Sequence, residues 1–294
     1  MKKILTLTLS ILFLLSGCAT NTKKSTDKIS IVTTIFPVYD FVRAVADDKA
    51  DIKLLIDPGT EVHAFDPTPS DIIAIKNSDC FFYIGGESEV WVNTVIDDVS
   101  HPVTLMKCVD PIEEEDGHHH DEHIWTSPYN AQKMVSEIAK ILAEIDANNA
   151  DIYPENAKKY NAEIQAVAER IQKVVDTAEN PFMLIADRNP YVYFANAFGI
   201  EYKAAFGGCA NSTDISIKTM SALIDTVKSH KLKCAFYTEM SSRNIAKTLK
   251  EETGINIYQL NSAHSVTKEE FEKGVTYVDL MKANADALEK GWNE

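Results

Sequence analysis

Three histidines of this 294-residue chain lie where neutral imidazoles could meet at a single metal ion. His63 follows a predicted strand, His123 precedes a predicted helix, and His264 follows a strand near the end of the chain. In open α/β sheets, ligand sites form beyond the carboxyl ends of the strands. Imidazole nitrogen suits Zn²⁺ and other late first-row ions. Together the three residues predict a site for a divalent metal ion.

The fourth coordination position of such a site is left open by the pattern. Three neutral imidazoles do not compensate the charge of a divalent ion, so a carboxylate, a thiolate or a water molecule could complete the site. The side chains that could do so, which the sequence does not rank, are Glu61, Cys209, Asp214 and Glu239.

The other histidines are assigned to the surface or to one unusual loop. His101 and His230 are predicted to be solvated. The acidic segment EEEDGHHHDEH contains His118, His119 and His120 as neighbours. Such a loop can bind divalent ions weakly and reversibly. Its composition is equally consistent with a role in collecting metal ions and with a solvated loop that binds none.

The elements that must position these side chains alternate between strands and helices. β-Branched and apolar runs predict strands, while apolar residues at helical spacing predict helices between them. The predicted strands are 29–35, 52–56, 81–84, 182–186, 200–206, 234–237 and 255–260, and the last predicted helix is 269–290. This alternation predicts an α/β fold with two Rossmann-like lobes whose sheets are largely parallel.

Residues 154–178 predict one long helix in the middle of the chain. The segment contains no glycine and no proline after Pro154, and its apolar positions recur in steps of three and four. About 25 helical residues would span ~37 Å, roughly the width of a domain. We therefore expect an N-terminal lobe over 29–150, a rigid linker helix over 151–179 and a C-terminal lobe over 180–294, with the metal site in the cleft between the lobes.

The beginning of the chain has the pattern of an export signal. Two lysines precede an apolar run from Ile4 to Leu15, which is too short to cross a bilayer as a helix. The small residues before Cys18 resemble the bacterial lipobox, in which the cysteine becomes the lipid-modified N-terminus; an ordinary secretory signal is the alternative. We expect a signal peptide over 1–17, a lipidated tether over 18–28 and a globule anchored to the outer side of the cell membrane.

The composition argues against several classes of function. There are 29 Lys and Arg against 44 Asp and Glu, which gives a net charge of −15. Such a surface repels phosphate and argues against nucleic-acid binding and against a basic face lying on anionic lipid. The 5 cysteines are too few for a disulfide-dense fold. Cys80 and Cys234 lie in apolar strand-like runs and are predicted to be buried thiols.

Two loops resemble those of the metal-binding solute-binding lipoproteins of zinc and manganese ABC importers, the zinc-uptake branch in particular. Residues 59–71, GTEVHAFDPTPSD, are similar to the first ligand loop of that family, with His63 at the ligand position. Residues 121–128, DEHIWTSP, are similar to the second, with His123 as the ligand. The resemblance covers essentially the whole mature chain, and it implies two α/β lobes joined by a rigid helix with the metal between them.

One segment departs from the pattern of that family. Many zinc members carry a third ligating histidine after the first strand of the C-terminal lobe, where this chain reads ADRNP over 186–190. Some members with this kind of sequence use the histidine of a later loop, which implies His264 here. Manganese members use two carboxylates of that lobe, and Asp187 and Asp214 lie near such places. Zn²⁺ is the expected ion, and Mn²⁺ or iron is the alternative.

The resemblance implies capture of Zn²⁺ outside the cytoplasm and its delivery to an ABC permease. We expect a monomeric lipoprotein that is not an enzyme and that meets the membrane only through the lipid on Cys18. A secreted zinc hydrolase with Glu61 as its base is the alternative from another class, although the chain lacks a His-Glu-x-x-His motif. A surface adhesin or sensor with a structural metal ion is a third possibility.

Overall fold

The first half of the chain folds into alternating strands and helices, as the sequence predicts. The computed structural model describes residues 28–61, 65–113, 120–208 and 215–293. Its elements up to the middle of the chain are β1 (Ile29–Thr33), α1 (Phe36–Ala46), β2 (Ala50–Leu54), α2 (Pro69–Lys76), β3 (Cys80–Tyr83), β4 (Pro102–Thr104), α3 (Pro128–Ile145) and α4 (Ile152–Thr177). Short 3-10 helical segments occur at Asp47–Lys49, Glu87–Thr94, Ile96–Asp98, Leu105–Cys108 and Ile124–Thr126.

The second half of the chain repeats the alternation. Its elements are β5 (Phe182–Arg188), α5 (Val192–Phe198), β6 (Glu201–Phe206), α6 (Ile217–His230), β7 (Cys234–Thr238), α7 (Asn244–Thr253), β8 (Asn256–Leu260), α8 (Lys268–Glu272) and α9 (Tyr277–Asn293). The signal peptide and all of the tether except Lys28 lie outside the described residues, and the lobe boundaries at 150 and 180 stay predictions.

Two four-stranded parallel sheets form the centres of the lobes. Their strand orders are β2-β1-β3-β4 and β6-β5-β7-β8, so both sheets have the same topology. In each sheet the chain adds the second strand on one side of the first and the third strand on the other. The crevice at this reversal, beyond the carboxyl ends of the strands, is where such folds bind ligands.

Local sequence explains where the helices around the cleft begin. Thr68 accepts from the backbone N–H of Asp71, and the Asp71 side chain accepts from the backbone N–H of Thr68, which forms a capping box ahead of Pro69. Ser127 caps α3 in a similar way by accepting from the backbone N–H of Asn130. Both caps fix the direction in which the preceding loop enters its helix.

The long helix α4 packs the predicted apolar stripe against both halves of the molecule. Its buried side chains include Tyr160, Ile164, Val167, Ile171 and Val174. They belong to one apolar core that contains residues of both sheets, so the two lobes share this core. A second apolar cluster, around Leu184, Ala235 and Leu249, lies within the C-terminal half alone.

A buried polar junction adds to this connection between the lobes. The carboxylate of Asp40 on α1 accepts hydrogen bonds from the Tyr160 hydroxyl on α4 and from the backbone N–H of Tyr277 at the start of α9. Arg43 binds the same carboxylate and also donates to the carbonyl oxygen of Val275. These hydrogen bonds connect α1, α4 and the start of α9.

The terminal helix differs from its prediction as a single element over 269–290. The structure ends α8 at Glu272 and begins α9 at Tyr277. Gly274 adopts a φ of 75° between them, which interrupts a right-handed helix. Thr276 and Asp279 then exchange hydrogen bonds that start a new helix.

Two further observations concern apolar residues. Cys80 and Cys234 are buried free thiols, as predicted. In the part of the chain that the structure describes, no helix is both long enough and apolar enough to cross a membrane.

Candidate metal centre

A cleft lies between the lobes at the carboxyl ends of the C-terminal sheet. Its volume is about 560 Å³, and its lining includes residues directly after β5, β7 and β8. The ionisable side chains that line it are Glu61, His123, Asp187, Arg188, Glu239 and His264. The cleft therefore coincides with the topological reversal between β5 and β7, where a ligand site is expected.

The structure brings together two of the three histidines that the sequence selects. The ring centroids of His123 and His264 are 5.3 Å apart, and the planes are nearly perpendicular at 86°. The Trp125 ring lies 5.4 Å from the His123 ring and 4.9 Å from the His264 ring, centroid to centroid. One imidazole comes from each half of the chain, so a shared ion would bridge the lobes.

His123 is fixed by the short turn that follows it and by a carboxylate that precedes it. Its side chain is only 1% exposed, and its backbone carbonyl accepts from the Thr126 hydroxyl at 2.8 Å. The Asp121 Oδ1 atom lies 2.8 Å from the backbone nitrogen of His123 and 3.1 Å from its Nδ1. Contacts within the same loop thus set the orientation of the His123 ring.

His264 is held by a tight loop after β8. Ala263 adopts a φ of 58°, and the backbone N–H of His264 donates to the Ser262 Oγ at 3.2 Å. Ser262 in turn donates from its backbone nitrogen and its hydroxyl to the two carboxylate oxygens of Glu239, at 2.8 and 2.7 Å. Burial raises the pKa of Glu239. Glu239, a candidate for the fourth ligand, is therefore engaged in anchoring the His264 loop.

The other carboxylates of the cleft also have partners. Glu61 forms an ion pair with Arg188, with 3.3 Å between Oε2 and the guanidinium. This ion pair links the loop at Glu61 in the N-terminal half to the end of β5. Asp187 accepts from the Thr238 hydroxyl at 2.9 Å and from the backbone N–H of Arg188. These contacts arrange the carboxylates around the cleft without bringing them together at one point.

His63 and two candidates for the fourth ligand, Cys209 and Asp214, lie outside the described residues. Within the described ranges, no three His, Cys, Asp or Glu side chains converge closely enough to hold a metal ion. A metal ion at this pair of imidazoles would therefore need at least one further ligand. A Cβ atom at Gly208 would lie 3.0 Å from the His123 Cε1, which shows how closely that segment approaches the site.

The histidine-rich loop has only its ends in the described part of the chain. His120 is exposed and forms an isolated antiparallel bridge with Glu113, while His118 and His119 lie outside the described residues. Next to this bridge, the backbone N–H of Asp121 donates to the carbonyl oxygen of Ile112 at 2.9 Å. The described ends of this loop, Glu113 and His120, therefore lie side by side, and the second end lies shortly before His123.

Sequence reasoning missed the residues that position the two histidines. Ser262 anchors the His264 loop, and the Trp125 Nε1–H donates to the Ser262 carbonyl oxygen at 2.8 Å, which joins the loops of the two lobes. Only the Asp-x-His spacing of Asp121 and His123 could have indicated a partner for the ring. The Ser262 and Trp125 contacts join distant parts of the chain and have no local signature.

Comparison with known proteins agrees with this architecture. The model of the ZnuA family, described as zinc-uptake complex component A, periplasmic, matches residues 31–291. The high-affinity zinc uptake system protein ZnuA of Bacillus subtilis (strain 168) is 30% identical over 94% of this chain and 92% of its own length. The zinc-binding lipoprotein AdcA of Streptococcus pneumoniae is also 30% identical, but the chain spans only 61% of that longer relative.

Solved structures show the same two-lobe fold. The metal-dependent lipoprotein YcdH from Bacillus subtilis superposes with a TM-score of 0.81 at 31% identity, covering 90% of this chain and 99% of that one. The Zn(II)-bound ZnuA-like domain of Streptococcus pneumoniae AdcA gives a TM-score of 0.79 at 26% identity, covering 91% and 100%. On the family match over residues 31–291 and these likenesses, the chain belongs to the ZnuA family of zinc-uptake complex component A proteins.

Proposed function

We propose that this protein captures Zn²⁺ outside the cytoplasm and delivers it to an ABC permease in the membrane. Its family consists of substrate-binding transport proteins, and the relatives over its full length are named for zinc uptake and zinc binding. The ion is the transported substrate rather than a resident cofactor. In this proposal the protein has no catalytic activity.

His63, His123 and His264 are the proposed ligands. The observation that supports this set most strongly is the 5.3 Å separation between the His123 and His264 rings across the lobe boundary. Neutral imidazoles are preferred zinc ligands, and two rings at this distance can bind one ion. His63 follows two residues after Glu61, whose side chain lines the cleft. A water molecule, Cys209 or Asp214 would complete a tetrahedral site.

Binding would favour the arrangement in which both lobes contact the ion. A ligand shifts a conformational equilibrium only by its differential affinity for the two states, and ligands from both lobes provide that difference. The continuous core and the Asp40 junction limit how far the lobes can separate. We therefore expect small adjustments at the cleft rather than a wide hinge opening.

Lipidation at Cys18 would keep the protein near its permease. The lipobox-like pattern, the polar tether and relatives named as lipoproteins support an anchor facing the outside of the cytoplasm. We propose a monomer whose contact with the membrane runs through this lipid.

The Glu61–Arg188 ion pair favours transport over the alternative of a zinc hydrolase. A general base has to accept a proton from a metal-bound water, whereas this carboxylate is paired with a guanidinium. The remaining alternative within the family is a receptor for Mn²⁺ or iron, and the following competition between Zn²⁺ and Mn²⁺ tests the manganese case.

Equilibrium competition between Zn²⁺ and Mn²⁺ on the mature protein tests the proposal. We expect tight zinc binding that Mn²⁺ does not displace, loss of that binding in His123→Ala and His264→Ala, and no ester or peptide hydrolysis. His101→Ala is the matched control, because His101 is exposed and lies at the edge of β4 away from the cleft. Preference for Mn²⁺, or zinc binding unchanged in both cleft variants, would contradict it.

A further inference from the structure

The buried carboxylate of Asp121 contacts one particular nitrogen of the His123 ring. Asp121 Oδ1 lies 3.1 Å from Nδ1, and both side chains are almost completely buried, at 3% and 1% exposure. The same oxygen accepts from the backbone N–H of His123 at 2.8 Å. The ring is therefore held against the carboxylate by its own backbone.

This contact decides which tautomer of a neutral imidazole is favoured. A carboxylate oxygen only accepts hydrogen bonds, so a neutral ring that bonds to it through Nδ1 must carry its proton there. The lone pair is then on Nε2, on the opposite side of the ring. A metal-binding histidine commonly has a carboxylate or carbonyl on its second nitrogen, which fixes its orientation and raises its basicity.

Asp121 is itself held from the other lobe. The Tyr193 hydroxyl on α5 donates to the backbone carbonyl oxygen of Asp121 and accepts from the backbone N–H of Ile112, both at 2.9 Å. The Tyr193 side chain is 3% exposed, so these bonds are shielded from water. One hydroxyl of the C-terminal lobe thus holds both ends of the histidine-rich loop and the residue that orients His123.

We propose that Asp121 is a positioning residue for zinc, which holds His123 in the Nδ1–H tautomer with Nε2 as the metal ligand, and that Tyr193 fixes Asp121 from across the lobe boundary. The proposal rests on the proposed function, since it needs His123 to bind the ion. Asp121 does not touch the ion in this account.

The test compares Asp121→Ala, Asp121→Asn and Tyr193→Phe in the mature protein. We expect Asp121→Ala to weaken zinc binding about 10- to 100-fold, the range for loss of a partner that orients a metal ligand. Asp121→Asn keeps an accepting oxygen and should recover part of this loss. Tyr193→Phe should also weaken binding, because the ring stays while the bond to Asp121 is lost. Asp110→Asn, on an exposed residue of the same segment, is the matched control.

Nitrogen NMR of the His123 ring reads the tautomer directly, and the recovery expected in Asp121→Asn distinguishes loss of the carboxylate contact from a general loss of structure. In the metal-free protein at pH 8 we expect the Nδ1–H form in the wild type and in Asp121→Asn, and a mixture with the Nε2–H form in Asp121→Ala. Wild-type affinity and tautomer in Asp121→Ala would overturn the role of Asp121. A wild-type protein that binds no zinc would instead contradict the proposed function, so the two failures are distinguishable.

Discussion

The indole Nε1–H of Trp125 donates to the backbone carbonyl oxygen of Ser262 over 2.8 Å, and this bond joins the loop that contains His123 to the loop that contains His264. Both bonded groups are buried, so the bond is protected from competition by water. The spacing of the two imidazoles is therefore set by a contact between residues that are not themselves proposed ligands.

Trp125→Phe should loosen this connection while leaving an aromatic ring in place. The Ser262 carbonyl oxygen would lose a buried donor, which costs about 1–3 kcal/mol. We expect a lower free energy of unfolding in urea and weaker zinc binding in competition titrations. Trp91→Phe is the control, because among the described residues the Trp91 indole N–H has no hydrogen-bond partner. Equal effects of the two substitutions on zinc affinity would contradict this role of Trp125.

Asp40→Ala should destabilise the junction between the helices of the two lobes. The substitution removes the acceptor shared by Arg43, Tyr160 and the backbone N–H of Tyr277. Breaking a buried ion pair by removing one partner costs about 3–5 kcal/mol, which urea denaturation would detect. Asp51→Ala, at a carboxylate that is 68% exposed, should change stability by no more than about 0.5 kcal/mol. Similar stability of both variants would show that the Asp40 junction does not hold the lobes together.

Glu89 should make the protein less stable as the pH rises from about 4.5 to about 7. Burial raises the pKa of this carboxyl from 4.5 to about 7. Below pH 4.5 the group is protonated in the folded and unfolded states alike, so it has no effect there. Between the two pKa values the carboxyl ionises in the unfolded state but not in the folded state. This lowers the free energy of unfolding by up to ~3 kcal/mol, since each unit of pKa difference corresponds to about 1.4 kcal/mol.

Glu89→Gln should remove this pH dependence. The variant has no proton to lose, so at pH 8 its free energy of unfolding should exceed that of the wild type by about 1–3 kcal/mol, with the difference disappearing near pH 4. Urea denaturation across this pH range measures it. Glu144→Gln, on an exposed residue of α3, should leave the pH profile as in the wild type. A wild-type profile in Glu89→Gln would show that Glu89 ionises normally in the folded protein.

Zinc should stabilise the fold in a pH-dependent manner. At a free zinc concentration of about 100 times Kd, the free energy of unfolding should rise by about 2.7 kcal/mol. The gain should decrease as the pH falls through about 6.5, because imidazoles must be neutral to bind and protons then compete with the ion. Thermal unfolding with and without zinc at several pH values measures this effect. Stabilisation that is equal at pH 7.5 and pH 5, or that persists in His123→Ala, would contradict imidazole ligation.

Local patterns in the sequence predicted most of the fold. The strands and helices follow from apolar periodicity, and the long helix follows from an uninterrupted apolar stripe. The break at Gly274 was missed, because one glycine within a strongly periodic segment is weak evidence on its own. The structure shows that its left-handed conformation ends the helix.

The candidate site was predictable only in part, for a physical reason. His264 could be selected because it follows a strand, where open α/β sheets form their ligand sites, and His123 because it precedes a predicted helix in a loop that resembles a known ligand loop. Their supporting contacts could not, since Trp125–Ser262, Tyr193–Asp121 and Glu239–Ser262 join residues that are distant in the chain. Such contacts depend on how the two lobes pack, which no local pattern encodes.

The most direct test of this account is the position of the zinc ion in a crystal of the zinc-loaded protein, located by anomalous diffraction at the zinc edge. We expect a single strong peak in the interlobe cleft, about 2.0–2.1 Å from a ring nitrogen of each of His63, His123 and His264. A peak that lies away from the His123–His264 pair, or one ligated by residues of a single lobe, would contradict the claim that imidazoles from both lobes share the ion.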